Sequence, residues 1–390
     1  MTGRPAILGG APAFPDGLRL ARPAAPPMER FIELLRPSYE SGQLTNGVLV
    51  RDLEAKAAAY LGVPRVVAVN SCTAGLMLVL RALHTTGSVV LPSFTFAATA
   101  HAVAWNGLRP IFAECVRTPG GFQIDAADAA ARIEEDTVAI MGTHVFGVAC
   151  DTDAVEAVGA EAGIPVIFDA AHGFGATHGG RMVGSFGLAE VFSLSPTKLI
   201  VSGEGGLVAT ADEALADEVA LGRDYANPGD YDMRFVGLNA RMSELHAAVA
   251  LGSLEELDEH LAKRRALAAR YRAGVAGIPG VINQHIDDGD EPTFKDLTIW
   301  IDAERFGITR DRLRECLTAE GIDTRAYFSP PVHRHTAYRS LPAVELPATD
   351  VASAAAVSLP MFRDLPLESV DVVVDVLARI QAAAGEIASA

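Results

Sequence analysis

The chain has 390 residues, of which 49% are hydrophobic and 21% charged. That composition supplies a large buried core and more than one domain, and it excludes a disordered or low-complexity chain. The formal net charge is −17 and no basic stripe interrupts it, which excludes a non-specific nucleic-acid binder.

Met1–Pro15 lacks the basic and apolar regions of a secretory leader, and no apolar stretch reaches membrane-spanning length. A soluble cytoplasmic protein is the expectation. Cys72, Cys115, Cys150 and Cys316 are widely spaced and form no CxxC pattern, so they read as reduced thiols.

Residues 1–30 are rich in Pro and Gly and read as an irregular arm. Residues 28–42 and 50–61 carry apolar positions at three- and four-residue spacing, which predicts two helices around a turn at Gly42–Gly47. From 66 to about 210, short β-branched runs alternate with helical patterns. The predicted strands are Val66–Val69, Ser88–Leu91, Pro110–Ala113, Thr137–Gly142, Pro165–Asp169, Glu190–Ser193 and Gly206–Thr210.

Several of these runs are apolar on both faces, as in a sheet covered by helices on each side. The alternation predicts an α/β fold with a mainly parallel sheet. Residues 239–275 predict one long helix. The expected division is an arm (1–30), a large α/β domain with the connecting helix (31–275) and a smaller C-terminal α+β domain (276–390). The last would hold Leu297–Ile301, a helix over 309–320, the run Asp323–Phe328 and a final amphipathic helix over 367–384.

Ligands of open α/β sheets sit beyond the carboxyl ends of the strands. Here those ends are Asn70-Ser71, Pro92-Ser93, Asp169 and Ser193. Lys198 follows Phe192-Ser193-Leu194-Ser195-Pro196-Thr197 and precedes Gly203-Glu204-Gly205-Gly206, a special backbone path. An unprotonated lysine amine there could form a Schiff base with an aldehyde cofactor. Asp169 closes an apolar strand, and a buried carboxylate needs a partner such as a protonated pyridine nitrogen. Before Ala170-Ala171 it could also serve as a helix N-cap.

The turn Asn70–Gly75 leads into a predicted helix, Leu76–Leu83. Backbone N–H groups at Thr73 and Ala74 could hold a phosphate there, with Ser193 adding a hydroxyl. Simple capping by Ser71 or Thr73 is the alternative. Phe96 could stack on a planar cofactor or fill the core. His172 could hydrogen-bond a phenolic oxygen. No set of residues shows metal-ligand spacing, and His144, His178, His333 and His335 lack a comparable context.

The order of these features resembles the DegT/StrS-type sugar aminotransferases, fold-type I enzymes that use pyridoxal 5′-phosphate (PLP). The resemblance spans nearly the whole chain. It is carried by Asn70–Leu76, Pro92–Thr99, Phe168–Ala176, Phe192–Gly206, Gly237–Glu244, Thr324–Pro330 and Leu359-Pro360. It implies that Lys198 carries PLP as a Schiff base and that Asp169 pairs with the ring nitrogen. His172 and Phe96 would flank the ring, and Thr73, Ala74 and Ser193 would hold the phosphate. Asn239 would reach the phosphate bound by a neighbouring subunit, making the active unit a homodimer.

Within the family, Thr95–Thr99, Trp105 with Gly107-Leu108, and Arg325–Pro330 are similar to nucleotide-sugar C4 aminotransferases of deoxysugar and antibiotic pathways. That implies dTDP-4-keto-6-deoxyglucose as acceptor and L-glutamate as donor. Arg325, Tyr327 and His333, with His335 and Arg339, are candidate contacts to the sugar nucleotide. Gly237-Leu238-Asn239-Ala240 departs from the commoner family form, which carries aromatic residues around the Asn. Other readings are a C3 aminotransferase, a PLP sugar dehydratase and a regulator on the same scaffold. Related dehydratases carry His where this chain keeps Lys198.

Overall fold

In the computed structural model, which describes residues 3–390, the alternating runs of the first half form one seven-stranded sheet. Its strands are β1 (Arg65–Val69), β2 (Ser88–Pro92), β3 (Arg109–Ala113), β4 (Thr137–Thr143), β5 (Val166–Asp169), β8 (Ala189–Ser193) and β9 (Gly206–Thr210). Between β5 and β8, β6 (Thr177–His178) and β7 (Arg181–Met182) make a separate small hairpin.

The order across the large sheet is β1-β9-β8-β5-β4-β2-β3. β9 is antiparallel to both neighbours, and the other strands share one direction. The carboxyl ends of β1, β5 and β8 therefore open on the same edge.

Side chains of a strand alternate between faces, and here both faces are buried. Val66, Ala68, Ile140, Phe168 and Phe192 pack on one side, and Val67, Val69, Met141, Ile167 and Val191 on the other. The first nine helices are α1 (Met28–Ser41), α2 (Val48–Leu61), α3 (Cys72–Arg81), α4 (Ala97–Trp105), α5 (Ala126–Ala131), α6 (Thr152–Ala162), α7 (Glu213–Gly222), α8 (Glu244–Glu255) and α9 (Leu257–Val275). α2, α5, α6 and α8 cover the first face, and α3, α4 and α7 the second.

Helix α2 has no side-chain cap of its own, because Gly47 precedes it. The buried Glu244 carboxylate fills that role from α8. It accepts from the N–H groups of Gly47, Leu49 and Val50 (2.9, 2.9 and 3.1 Å) and from Ser38 Oγ (2.8 Å). A carboxylate at a helix N-terminus satisfies orphan donors and complements the dipole.

A second, antiparallel sheet holds β10 (Val281–Asn283), β11 (Leu297–Ile301) and β12 (Ala356–Leu359). Its core takes Leu267, Tyr271 and Val275 from α9 and Val370, Val373 and Leu377 from the helix Leu367–Ala382. The arm packs Ile7, Leu8, Phe14 and Leu18 on this core, and Glu320 accepts from Ala6 N and Ala13 N (2.9 Å each). The first two residues of the expected arm lie outside the described residues.

Three elements differ from the sequence reading. The helix expected over 239–275 starts at Glu244, capped by Ser243, and breaks at Glu256 (φ −100°, ψ 2°). The break lets α8 pack on the large sheet and α9 on the small one, and apolar spacing on both sides hides it. The helix expected at Leu76–Leu83 begins at Cys72, so the small-residue turn is its first turn. Asp323–Phe328 contributes only an isolated bridge, Arg325 to Ser358, rather than a strand. Among the described residues, no helix is long and apolar enough to cross a membrane.

Candidate active site

A cavity of about 310 Å³ lies at the shared carboxyl edge of β1, β5 and β8. Asp169, the last residue of β5, forms its floor and is buried. No helix follows, so Asp169 is not an N-cap: it accepts from Ala171 N (3.1 Å) in a turn. Its other oxygen accepts from Thr99 Oγ1 on α4 (2.7 Å). Thr99 in turn lies 2.8 Å from Thr95 Oγ1, which lies 3.3 Å from Thr143 Oγ1. A hydroxyl has one proton to give, so these threonines hand donors toward the carboxylate in sequence.

Burial pushes the Asp169 carboxyl up, and Thr99, the Ala171 N–H and Lys198 oppose that rise. Among the described residues no lysine, arginine or histidine forms an ion pair with it. The Cys72 Sγ lies 3.9 Å from Asp169 Oδ1, and burial, then the Asp169 charge, keep that thiol protonated.

The next wall is the N-terminus of α3. Ser71 caps it, accepting from Ala74 N at 3.1 Å, so the Ala74 N–H already has an acceptor. The N–H groups of the first helical turn have no intrahelical acceptor, and Ser71, Cys72 and Thr73 line the cavity there. Helix α3 sits unusually close to the sheet. A Cβ on Gly75 would meet Val191 Cγ1 at 2.7 Å, and one on Gly206 would meet the Ser71 and Cys72 backbone at 2.6 Å. Both glycines are required by that approach.

Ser193 ends β8 beside this helix, and both it and Lys198 line the cavity. The intervening loop is pinned by backbone bonds: Leu194 N to Gly205 O (2.9 Å), Ser202 N to Leu194 O (2.8 Å) and Lys198 N to Ser195 O (3.0 Å). The Lys198 amine makes no hydrogen bond or ion pair among the described residues. Burial, then the Lys295 charge, push its pKa down to about 8. It is thus a nucleophile and base near neutrality.

His172 also lines the cavity. Its Nδ1 lies 3.1 Å from Phe146 N and accepts from it, which leaves the proton of a neutral ring on Nε2. Burial, then Lys198 and Lys295, keep the ring neutral. Phe96 is 62% exposed and lines the cavity, so it is not a core residue. Opposite the sheet, the wall comes from far along the chain: Tyr327, Phe328 and the buried pair Lys295–Asp296.

The structure thus brings together Thr73, Phe96, Asp169, His172, Ser193, Lys198 and Tyr327. It places the remaining candidates elsewhere. Asn239 is exposed, with its carbonyl accepting from Asn70 Nδ2 (2.9 Å) and its Oδ1 from Arg241 (3.3 Å). Arg325 is exposed and donates to Thr324 O (3.0 Å). The His333 ring is buried, with Nδ1 2.6 Å from Ser93 Oγ, and it does not line this cavity. Sequence reasoning missed Thr99, Cys72 and Lys295–Asp296. Of these, Thr99 and Cys72 stand in segments that carried the resemblance, but nothing marked their side chains.

A nucleophilic amine, a buried carboxylate and a helix N-terminus around one cavity suit an aldehyde cofactor that carries a phosphate. The description of one family, the DegT/DnrJ/EryC1/StrS aminotransferase family, matches residues 27–378. The chain belongs to that family. It is a PLP-dependent sugar aminotransferase.

Among solved structures, the family member is similar to DesI crystallised in the presence of its TDP-sugar product, at 37% identity and TM-score 0.93, covering 98% of each chain. The spore coat polysaccharide biosynthesis protein SpsC of Bacillus subtilis is 33% identical over 79% of this chain and 82% of its own. GDP-perosamine synthase of Caulobacter vibrioides is 32% identical over 86% of this chain and 90% of its own.

Proposed function

We propose that Lys198 carries PLP as a Schiff base, that Asp169 pairs with its ring nitrogen, and that the enzyme moves an amino group from L-glutamate to dTDP-4-keto-6-deoxyglucose, giving the 4-amino-4,6-dideoxy sugar. One observation carries the reading. The cavity holds both an unpartnered amine, pushed down to about 8, and a buried carboxylate without a counter-ion.

The residues present fit the cofactor. A protonated ring nitrogen would supply the ion-pair partner that Asp169 lacks among the described residues, and at an effective dielectric near 20 such a pair is worth roughly 4 kcal/mol before desolvation. The α3 N-terminus and Ser193 offer neutral donors to a phosphate. When bound, PLP supplies a ring that accepts electrons from the reacting carbon.

The chain's own residues do the rest. Thr99 and the Ala171 N–H donate to Asp169 and favour its charged form against the effect of burial. His172 Nε2–H would be the donor available to the cofactor's phenolic oxygen. With the cofactor bound, Lys198 Nζ would be placed to take the proton from the donor's α-carbon and to return it.

In this reading the floor belongs to the large domain (31–275) and the far wall to the small one (276–390). The active unit is a homodimer in which Asn239 reaches a neighbouring subunit's phosphate.

The acceptor's nucleotide rests on the TDP-sugar product of the structure at 37% identity. C4 regiochemistry rests on the likeness of Thr95–Thr99, Trp105 and Arg325–Pro330 to C4 aminotransferases. A GDP-sugar is the second reading, favoured by the relative named GDP-perosamine synthase. The test incubates holoenzyme and L-glutamate with dTDP- and GDP-linked keto sugars and locates the new amine by NMR. Amination at C4 of the dTDP sugar is expected. An amine at C3, or turnover of GDP sugars alone, overturns the proposal.

A further inference from the structure

Lys295 has so far acted only through its charge on Lys198 and His172, yet its ammonium is the second cation of the cavity wall. Its side chain is 6% exposed and that of Asp296 5%. Nζ donates to both Asp296 oxygens at 2.9 Å. An ammonium has three donors, and the third finds no acceptor among the described residues. The aromatic face of Tyr327 lies 5.6 Å away.

The segment that carries this pair is held from several sides. Thr293 Oγ1 donates to His172 O (2.7 Å), and Thr293 N to Gly147 O (2.9 Å). The buried Arg264 donates to the carbonyls of Phe294 and Lys295 (3.0 and 3.1 Å). Phe294 adopts φ 47°, a strained conformation for a bulky residue. A buried lysine fixed so firmly, with a donor to spare, is placed for an anion.

Within one chain, no arginine among the described residues lines this cavity. Lys198 is committed to the cofactor and His172 is neutral, so Lys295 is the standing positive charge near the reacting amine. We propose that Lys295, oriented by Asp296, is the residue that binds the α-carboxylate of the amino donor. This rests on the aminotransferase reading above. The carboxylate is bonded directly to the carbon that bears the donor's amine. The diphosphate of a sugar nucleotide is separated from a C4 carbonyl by the sugar ring and the glycosidic oxygen. Lys295 lines the same cavity of about 310 Å³ as Lys198 and His172, which places its ammonium on the side of the reacting amine and so of the first group.

Lys295→Met alone would leave Asp296 buried without its partner, so the informative variant is the pair Lys295→Met with Asp296→Asn, beside Lys295→Arg. The holoenzyme is followed in each half-reaction separately by cofactor absorbance, and glutarate binding is measured by calorimetry. In the double variant, the KM for L-glutamate should rise about 10- to 100-fold with a smaller change in kcat. Glutarate affinity should fall in parallel, the KM for the keto-sugar nucleotide should stay within about threefold of wild type, and Lys295→Arg should restore part of the loss.

Unchanged glutamate KM and glutarate affinity in the double variant overturn the assignment. So does an equal loss toward the sugar nucleotide, which would make Lys295 a phosphate contact. A wild-type holoenzyme that takes no nitrogen from L-glutamate overturns the donor reading itself, and with it this one.

Discussion

The cavity has two sides built on different principles. Its floor comes from strand ends: Asp169 on β5, Ser193 on β8 and the start of α3 after β1. The far wall comes from loops more than a hundred residues away in sequence: Lys295–Asp296 before β11, and Tyr327-Phe328. Sheet hydrogen bonds fix the floor, so its groups cannot shift without breaking the ladder. Side-chain ties such as Arg264 to Phe294 O fix the wall. A rigid floor suits the cofactor chemistry, and a wall that can vary by substitution suits the choice of substrate.

Mutations in the floor should cost the enzyme more than mutations in the wall. Lys198→Ala should remove the visible cofactor absorbance and lower turnover by at least roughly a thousandfold. Wild-type absorbance in that variant would place the cofactor elsewhere. Asp169→Asn should lower kcat by about 10²- to 10³-fold, because a neutral amide does not hold the ring nitrogen protonated. Retained kcat would mean that the floor carboxylate is structural.

Gly206→Val should act on the fold as well as on the site. Its Cβ meets the Ser71 and Cys72 backbone at 2.6 Å, so urea unfolding of the apoprotein should show a loss of about 1–3 kcal/mol. A stability equal to wild type would mean that α3 can lift from the sheet. Thr99→Val removes one donor that holds the Asp169 carboxyl down. The acid limb of the kcat profile should then move to higher pH, with about a tenfold lower rate on the plateau. An unmoved limb would separate the threonine chain from Asp169.

The smallest effect is one of pH on loading. The Lys198 amine has a folded pKa of about 8, below its ordinary 10.5. Below pH 8 the folded apoprotein must hold a charged amine in a buried place. Between about 8 and 10.5 the unfolded chain binds the extra proton, so apoprotein stability rises with pH across that window. The neutral amine is the nucleophile, so the rate of PLP uptake should climb through pH 8 and level off above it. A midpoint near 10.5 would mean that neither burial nor Lys295 acts on this amine.

The floor was legible in the sequence because a strand that ends in Asp or Ser marks its own position at the carboxyl edge. The order of Asn70–Gly75, Asp169, Ser193 and Lys198 then points to one site. The large sheet was legible for a similar reason, since each strand is a short β-branched run. The wall was not. Lys295-Asp296 reads as an ordinary solvated pair, and only the fold reveals that it is buried. His333 sits in a basic, aromatic stretch that suggests ligand contact, but Ser93 holds its ring away from the cavity. The break at Glu256 was invisible because apolar spacing continues through it while the surface that it faces changes.

The central claim is that Lys198 is the residue that holds the cofactor. The most direct measurement is borohydride reduction of the holoenzyme, followed by proteolysis and mass spectrometry of the modified peptide. A single pyridoxyl phosphate adduct on Lys198 is the expected result. An adduct on Lys295 or another lysine, or none in an enzyme that still turns over, contradicts the account.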